Sequence, residues 1–380
     1  MDSDTCERII SKLHNLVSLN TNLGDFDIVY ASGEDNVSPV ACVEGNISIA
    51  SWCVKHVYAH AYHSSLRCKQ KLWSYDECES LTRWTQFCLL IRPEVTTFWN
   101  LRRALIKKGL VSGDQELLLT KLILSRKPKC IEAFYERQWL YTKVLATSGH
   151  EWIRQEIDLC TWATSRHQNN YHAWNHRLWL LNKLLLHEDR NDLLKSEFES
   201  VMEWAEVHVS EHSCMHYVNQ LVERMALSSK EGLCSLERVP PYVSSVAQLY
   251  EAMLSWNQNL IVQYPGHETL FYARKSLVLK FQRDCVDTAT PVTAREHLVE
   301  ECLVSGNEIG TQSATKDETN SWCCDQPAFK RTCVENVSGD WASLVMKERK
   351  FAEACVTAAT SDFEKSVAQA YVRTVGRFSV

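Results

Sequence analysis

One stretch decides the fold of this chain, NYHAWNHRLW at residues 170–179. A large apolar residue stands at its centre, with arginine three positions later. The same pair recurs along the sequence as Trp99 and Arg102, Phe134 and Arg137, Trp174 and Arg177, and Phe271 and Arg274. A fifth copy is centred on Met215, where Val218 replaces the arginine. The five anchors are 35, 40, 41 and 56 residues apart, a spacing typical of stacked helical repeats.

Prolines divide this region into helices. Pro93, Pro128 and Pro265 each stand six residues before an anchor, where a proline ends one helix and sets the turn into the next. Apolar residues recur between the breaks with a helical period. Short turns make neighbouring helices antiparallel. The predicted pairs are 76–91 with 95–109, 114–126 with 130–147, 150–166 with 170–187, 190–208 with 213–229, and 242–263 with 267–283.

The sequence therefore predicts an all-α fold, an array of antiparallel helical hairpins. Residues 1–75 are predicted to hold a helix, a small β-hairpin-like element and a second helix, since apolar residues alternate around Phe26 and Ile28. Residues 76–283 form the five repeats. Residues 284–340 are rich in polar residues without an apolar period, which predicts a disordered insertion. Apolar periodicity returns in 341–380 and indicates closing helices.

Composition excludes several classes of protein. The formal net charge of −6 argues against a general nucleic-acid binder. No apolar run approaches the roughly 18 residues of a transmembrane helix, and the acidic first residues lack the features of a signal peptide. The 16 cysteines are scattered through helical patterns, so we expect reduced thiols rather than a disulfide framework. These features together predict a cytoplasmic location.

The repeated pairs are interpreted first as packing residues. Positions i and i+3 lie on one face of a helix, so Trp174 and Arg177 project together. The ring of such an aromatic residue can be pressed between hairpins, with the arginine stem covering it. The guanidinium is then expected to reach carbonyls or carboxylates of the next unit. Chemistry must come from other residues.

Histidine and cysteine groups predict no metal site in this chain. Three histidines share a helical face but lack a suitable fourth ligand beyond Cys53: His56, His60 and His63. A second group crosses a predicted helix break: His208, His212 and His216. A cysteine group lacks zinc-ribbon spacing: Cys323, Cys324 and Cys333.

The stretch at 170–177 resembles the signature repeat of protein prenyltransferase alpha subunits, the helical partners in farnesyltransferase and the geranylgeranyltransferases. The segments 38–55 and 264–270 are similar to a divergent branch, the alpha subunit of a third type of protein geranylgeranyltransferase. The resemblance implies a right-handed superhelical crescent around a Rab-type beta subunit, which holds zinc and the lipid pocket. It also implies geranylgeranyl diphosphate as co-substrate and protein substrates with an acceptor cysteine.

The resemblance further implies that Lys129, Tyr171 and His172 contact the diphosphate. Lys129 stands five residues before Phe134, where the family has a lysine; the family's tyrosine two residues later is Ile131 here. Alternatives stay open. Lys129 could be a solvated lysine in a turn, His172 a capping or packing residue, and the chain a non-catalytic helical-repeat scaffold that binds protein partners.

Overall fold

The computed structural model describes residues 1–20, 22–31, 38–68, 75–145, 149–187, 190–228, 246–286 and 339–378. Helices dominate these residues, and a small three-stranded sheet lies near the amino terminus. This confirms the predicted fold class of an all-helical repeat protein with a small β element. No helix in the described ranges is long and apolar enough to cross a membrane. The chain divides into two compact units, Met1–His187 and Glu188–Val380.

The first unit contains three strands and eight helices among its described residues. In chain order they are α1 (Ser3–Leu19), β1 (Phe26–Val29), β2 (Val40–Val43), β3 (Asn46–Ala50), α2 (Ser51–Cys68), α3 (Tyr75–Ile91), α4 (Thr96–Lys107), α5 (Gly113–Arg126), α6 (Ile131–Lys143), α7 (Glu151–Arg166) and α8 (Tyr171–Leu184). Consecutive helices pack as hairpins: α3 with α4, α5 with α6, and α7 with α8.

The second unit is helical throughout its described residues. Its elements are α9 (Arg190–Val207), α10 (His212–Ser228), α11 (Val246–Gln263), α12 (Glu268–Phe281), a π-helical turn (Gln282–Val286), α13 (Gly339–Ala358) and α14 (Asp362–Val375). The hairpins are α9 with α10, α11 with α12, and α13 with α14. Most of the insertion predicted at 284–340 lies outside the described residues. Its two ends differ from the prediction, since residues 284–286 are π-helical and α13 begins at Gly339.

The sheet lies in the region predicted to be β-hairpin-like, where β2 and β3 form a hairpin and the alternating residues Phe26 and Ile28 lie on a third strand, β1. Strands β2 and β3 are antiparallel and meet at a turn where Glu44 and Gly45 both have positive φ, 50° and 79°. That backbone matches the tight hairpin turns whose twist suits flanking strands. Strand β1 pairs parallel with β3, so the strand order is β1-β3-β2. The backbone N–H of Phe26 donates to Ser125 Oγ at 2.9 Å, which joins the sheet to α5.

The anchors and arginines of the repeats form the framework between hairpins. All of them are buried: Trp99, Arg102, Phe134, Arg137, Trp174, Arg177, Phe271 and Arg274. Arg102 on α4 donates to both carboxylate oxygens of Glu116 on α5 through Nε, at 2.9 and 2.8 Å. Its Nη1 donates to the carbonyl of Thr82 on α3, at 3.2 Å. The guanidinium therefore joins its own hairpin to the first helix of the next one.

The same bridge recurs in both units. Arg137 pairs with Glu156 on α7, Nε to Oε2 at 2.9 Å, and donates to the carbonyl of Leu117 at 2.8 Å. Arg274 pairs with Glu348 on α13 at 2.7 Å and donates to the carbonyl of Leu254 at 2.7 Å. These buried ions are tolerated because each is paired and hydrogen-bonded. We call this arrangement the arginine bridge.

Candidate functional site

The candidate site lies where α6 and α8 begin. Lys129 is exposed in the turn between α5 and α6, and Tyr171 and His172 are the first two residues of α8. Tyr171 is 53% exposed and His172 is partly buried. Their rings meet edge to face, with centroids 5.6 Å apart. We call the group of Lys129, Glu132, Tyr171 and His172 the rim cluster.

Asn170 fixes the start of α8 against the turn that carries Lys129. Its side chain is fully buried, and Nδ2 donates to the carbonyl of Pro128 at 2.7 Å. Its Oδ1 accepts from the backbone N–H of Ala173 at 3.2 Å, which caps the helix. One amide therefore holds both the helix terminus and the neighbouring turn, so the two parts of the rim cluster are positioned together.

Helices α6 and α8 run side by side. The three residues predicted to contact diphosphate therefore lie at one end of this helix pair. Gln138 Nε2 lies 3.3 Å from His176 Nδ1, and the rings of Phe134 and His176 lie 5.3 Å apart between centroids. Lys129 in the turn before α6 and Glu132 in the first turn of α6 consequently lie at the same end of this helix pair as His172 at the start of α8. Their charges act on its imidazole.

Burial, Glu132 and Lys129 set the charge of His172. The pKa of His172 lies below its ordinary value of 6.5, chiefly because partial burial disfavours the charged ring. The carboxylate of Glu132 opposes this decrease, and the ammonium of Lys129 adds to it. At neutral pH the imidazole is therefore mostly neutral, with one N–H to donate. The rim cluster then offers a lysine ammonium, a phenol and an imidazole to an anion.

Glu132 belongs to this cluster although the sequence did not point to it. Its side chain is partly buried in the first turn of α6, and Oε2 accepts from the thiol of Cys130 at 3.4 Å. Ile131, where the family has tyrosine, provides no hydrogen-bond donor from its side chain. The signal that could have revealed Glu132 is its place three residues after Lys129, one turn into the helix.

A second polar group lies deeper between the helices. Glu156 accepts from Arg137, from Tyr141 Oη at 3.0 Å and from His176 Nε2 at 2.9 Å. Although burial favours the neutral acid, Arg137 and the other donors lower the pKa of Glu156 to about 2. Burial lowers the pKa of His176, so this ring is neutral and donates from Nε2. Glu156, His176 and Arg137 are buried, so this group is part of the packing.

Glu136 is a buried carboxyl group whose pKa lies well above its ordinary value. Its side chain is fully buried on α6, and Arg103 Nε donates to Oε2 at 2.8 Å. Among the described residues, Oε1 has no hydrogen-bond partner. Burial and the nearby charge of Glu116 raise the pKa of Glu136 to about 7, although Arg103 opposes the rise. Sequence reasoning missed this residue, which lies two positions after the anchor Phe134.

The two histidine groups considered from sequence do not form metal sites among the described residues. His60 Nε2 lies 2.5 Å from Glu7 Oε1, which ties α2 to α1. His208 follows α9 and His212 begins α10, so these two are not on one continuous helix. Within the described ranges, no group of three or more histidine, cysteine, aspartate or glutamate side chains is placed to hold a metal ion.

Comparisons with known proteins match this architecture. The protein prenyltransferase alpha subunit repeat matches residues 153–184, which span α7 and α8 and include Asn170, Tyr171 and His172. Human protein prenyltransferase alpha subunit repeat-containing protein 1 is 28% identical over 314 residues, 71% of this chain and 76% of the relative. The zebrafish (Danio rerio) protein of the same name is 27% identical over 304 residues, 71% of each chain.

More distant similarity reaches proteins named as enzyme subunits. The geranylgeranyl transferase type-2 subunit alpha of Saccharomyces cerevisiae is 24% identical over 145 residues, 37% of this chain and 44% of the relative. The corresponding Candida albicans subunit is 26% identical over 120 residues, 28% of this chain and 32% of the relative. The similarities confirm the predicted resemblance to proteins built from this repeat.

Proposed function

Because this chain carries the protein prenyltransferase alpha subunit repeat, we propose that it is the alpha subunit of a heterodimeric protein geranylgeranyltransferase. The partner is a Rab-type beta subunit that supplies zinc and the lipid pocket. The pair transfers a geranylgeranyl group from its diphosphate to a protein cysteine thiol. This chain has no activity alone and helps to bind the diphosphate.

The observation that carries this proposal is the position of Lys129 beside His172. The two residues are 43 positions apart in the sequence, yet Asn170 fixes the turn that carries Lys129 to the start of the helix that carries His172. Tyr171 adds an exposed phenol at the same place. Three donors of the kinds that bind phosphate oxygens therefore share one exposed end of two helices.

The chemistry of prenyl transfer needs such donors. The cysteine thiol gives up its proton to water, and its sulfur forms a bond to the first carbon of the geranylgeranyl group while the bond from that carbon to the diphosphate oxygen breaks. Negative charge grows on the leaving oxygens. Donors already in place stabilise that charge without reorganisation. In this proposal Lys129 supplies the charge, and Tyr171 and His172 supply hydrogen bonds.

The names of the distant relatives support geranylgeranyl as the transferred group. Two fungal relatives are named as alpha subunits of a type-2 geranylgeranyl transferase. These matches cover 28% and 37% of this chain. They support geranylgeranyl as the transferred group and a beta subunit as the partner. The acceptor protein is to be identified by experiment.

Co-expression with the Rab-type beta subunit tests the proposal. A stable complex that transfers labelled geranylgeranyl to proteins of a prenylation-blocked cell extract is the expected result. Lys129→Ala should lower transfer about 100-fold, as loss of an oxyanion-type donor does, while leaving the complex intact. Lys127→Ala is the matched control, since Lys127 lies in the same turn but pairs with Glu94. Absence of both complex and transfer would refute the proposal.

A non-catalytic scaffold is the second candidate, and Glu132 favours it. A carboxylate among the donors of the rim cluster repels a diphosphate, and Ile131 provides no hydroxyl. A stable complex with the beta subunit that transfers no prenyl group to any protein would support the scaffold. An equal rate for Lys129→Ala and Lys127→Ala would remove the rim cluster from the reaction.

A further inference from the structure

The rim cluster contains one cation and one anion, a combination that the proposed function alone does not explain. Lys129 contributes one positive charge and Glu132 one negative charge, and His172 is mostly neutral at neutral pH because burial lowers its pKa. The cluster therefore has a formal charge near zero. A diphosphate group carries several negative charges, so a site built only to bind it would keep its cation unopposed.

The fold holds Glu132 in this place. It lies in the first turn of α6, where a carboxylate is favoured by the helix dipole. Cys130 donates to it from the preceding turn. Its charge acts on His172 across the α6–α8 contact, and Asn170 keeps that contact in register with Lys129. Among the residues that the structure describes, no ion pair neutralises this carboxylate, so its charge acts on an anion bound by the cluster.

We propose that Glu132 is a specificity-determining residue of the rim cluster, whose carboxylate offsets Lys129 and weakens the hold of this chain on a diphosphate group. This rests on the proposed function. Tight diphosphate binding then requires positive charges from the partner subunit. The product diphosphate also dissociates more easily than it would from a site with Lys129 and without Glu132.

Glu132 has a second effect with the opposite sign. Its charge raises the pKa of His172, and the groups that face this ring are Glu132 on α6 and Lys129 in the preceding turn. In acid the carboxylate therefore helps His172 to carry a proton, which attracts an anion. Above neutral pH the ring is neutral and only the repulsion remains. The net effect of Glu132 on anion affinity consequently depends on pH.

Inorganic diphosphate is the probe for this proposal, because its binding can be measured on the full chain and on the heterodimer. Glu132→Gln keeps the shape and removes the charge. We expect about three- to tenfold tighter diphosphate binding at pH 8, the change that one like charge several ångströms away produces. The gain should shrink toward pH 5, since the variant loses the support that Glu132 gives to protonated His172. A purely structural role would not produce this pH profile.

Asp114→Asn is the matched control, since Asp114 is an exposed carboxylate in the first turn of α5, as Glu132 is in the first turn of α6, and does not belong to the rim cluster. It should leave diphosphate affinity within twofold of the unmodified chain, roughly the effect of a screened surface charge. Equal or weaker diphosphate binding by Glu132→Gln, at pH 8, would overturn the inference. If Lys129→Ala weakens binding while Glu132→Gln changes nothing, the role of Glu132 fails and the proposed function stands. If Lys129→Ala changes neither binding nor transfer, the rim cluster has no part in the reaction and the inference about Glu132 fails with it, whereas the proposed function fails only if the heterodimer neither forms nor transfers a prenyl group.

Discussion

His176 stands 20 residues after Glu156 and places Nε2 2.9 Å from its Oε2. Tyr217 has the same spacing from Glu197 and donates its hydroxyl to Oε1 at 2.5 Å. One repeat before His176, the residue 20 positions after Glu116 is Glu136, a second carboxylic acid. A proton on Glu136 would make it a donor like the other two. The raised pKa, about 7, fits this interpretation.

The first prediction is that Glu136 makes the protein less stable as pH rises. Its pKa is about 7 in the folded chain and near 4.5 when unfolded. Below pH 4.5 both states are protonated and the stabilisation is complete. Between pH 4.5 and 7 only the folded state keeps the proton, so stability falls, by about 3 kcal/mol in total. Urea unfolding of the full chain at pH 5.5 and pH 8 measures this.

Glu136→Gln should abolish that loss, because an amide can accept from Arg103 and donate toward Glu116 at any pH. The variant should be about 1–3 kcal/mol more stable than the original chain at pH 8. Asp158→Asn, at an exposed position on α7, is the control and should keep the original pH dependence. An unchanged slope in Glu136→Gln would show that the proton resides elsewhere.

The second prediction concerns the arginine bridge. Arg137→Ala leaves the carboxylate of Glu156 buried without its main partner, which should cost about 3–5 kcal/mol. Arg154→Ala removes an exposed pair with Glu151, 3.7 Å apart, and should cost less than about 1 kcal/mol. Chemical denaturation of both variants at pH 7 compares them. Similar losses would mean that the bridge contributes no more than a surface ion pair.

Helices and their limits were accessible from the sequence, because proline, glycine and capping residues act locally. The predicted helix 76–91 is observed as Tyr75–Ile91, and 150–166 as Glu151–Arg166. Partners of long-range ion pairs could not be predicted from the sequence. Arg274 and Glu348 are 74 residues apart, and no local rule relates them. The parallel pairing of β1 with β3 was missed for the same reason, since register across a long connection leaves no periodic signal.

The candidate site shows the same limit. Family resemblance pointed to Lys129, Tyr171 and His172, and the structure shows that these residues share one end of two helices. Neither periodicity nor spacing showed that the charge of Glu132 acts on His172, because this depends on the relative position of α6 and α8. The balance between the charges of Lys129 and Glu132 around His172 depends on how α6 and α8 pack, so it is visible only in the three-dimensional structure.

The third prediction concerns Asn170. Asn170→Ala removes the helix cap and the hydrogen bond to Pro128, and leaves that partly buried carbonyl with one donor fewer. A stability loss of about 2–3 kcal/mol is expected. Because the turn of Lys129 is then released from α8, binding of diphosphate should also weaken. Asn175→Ala, further along α8, serves as the control. Equal diphosphate affinity in both variants would mean that Asn170 does not position the diphosphate contacts.

The fourth prediction starts from the repeat that lacks its arginine. Val218 is fully buried at the arginine position of α10. Glu116, which accepts from Arg102, immediately precedes Leu117, whose carbonyl accepts from Arg137. In α11 the carbonyl that accepts from Arg274 belongs to Leu254.

The residue before Leu254 is Met253, which is 2% exposed. By this spacing Met253 occupies the glutamate position of a bridge whose arginine would be at Val218. Both members of the ion pair are therefore replaced together by apolar residues. Such a replacement is often neutral or stabilising, because no desolvation of charges is required.

A double-mutant cycle at these two positions tests the assignment. Val218→Arg and Met253→Glu each bury a charge without its partner and should each cost about 3–5 kcal/mol. If the two positions face each other as a bridge, the double variant should recover about 1–3 kcal/mol relative to the sum of the single losses. The control is Val218→Arg combined with Glu251→Gln, since Glu251 lies on α11 as Met253 does. This pair of changes should recover none of the lost stability. Additive losses in the Val218→Arg, Met253→Glu variant would mean that the fourth repeat packs on the fifth in a different register from the others.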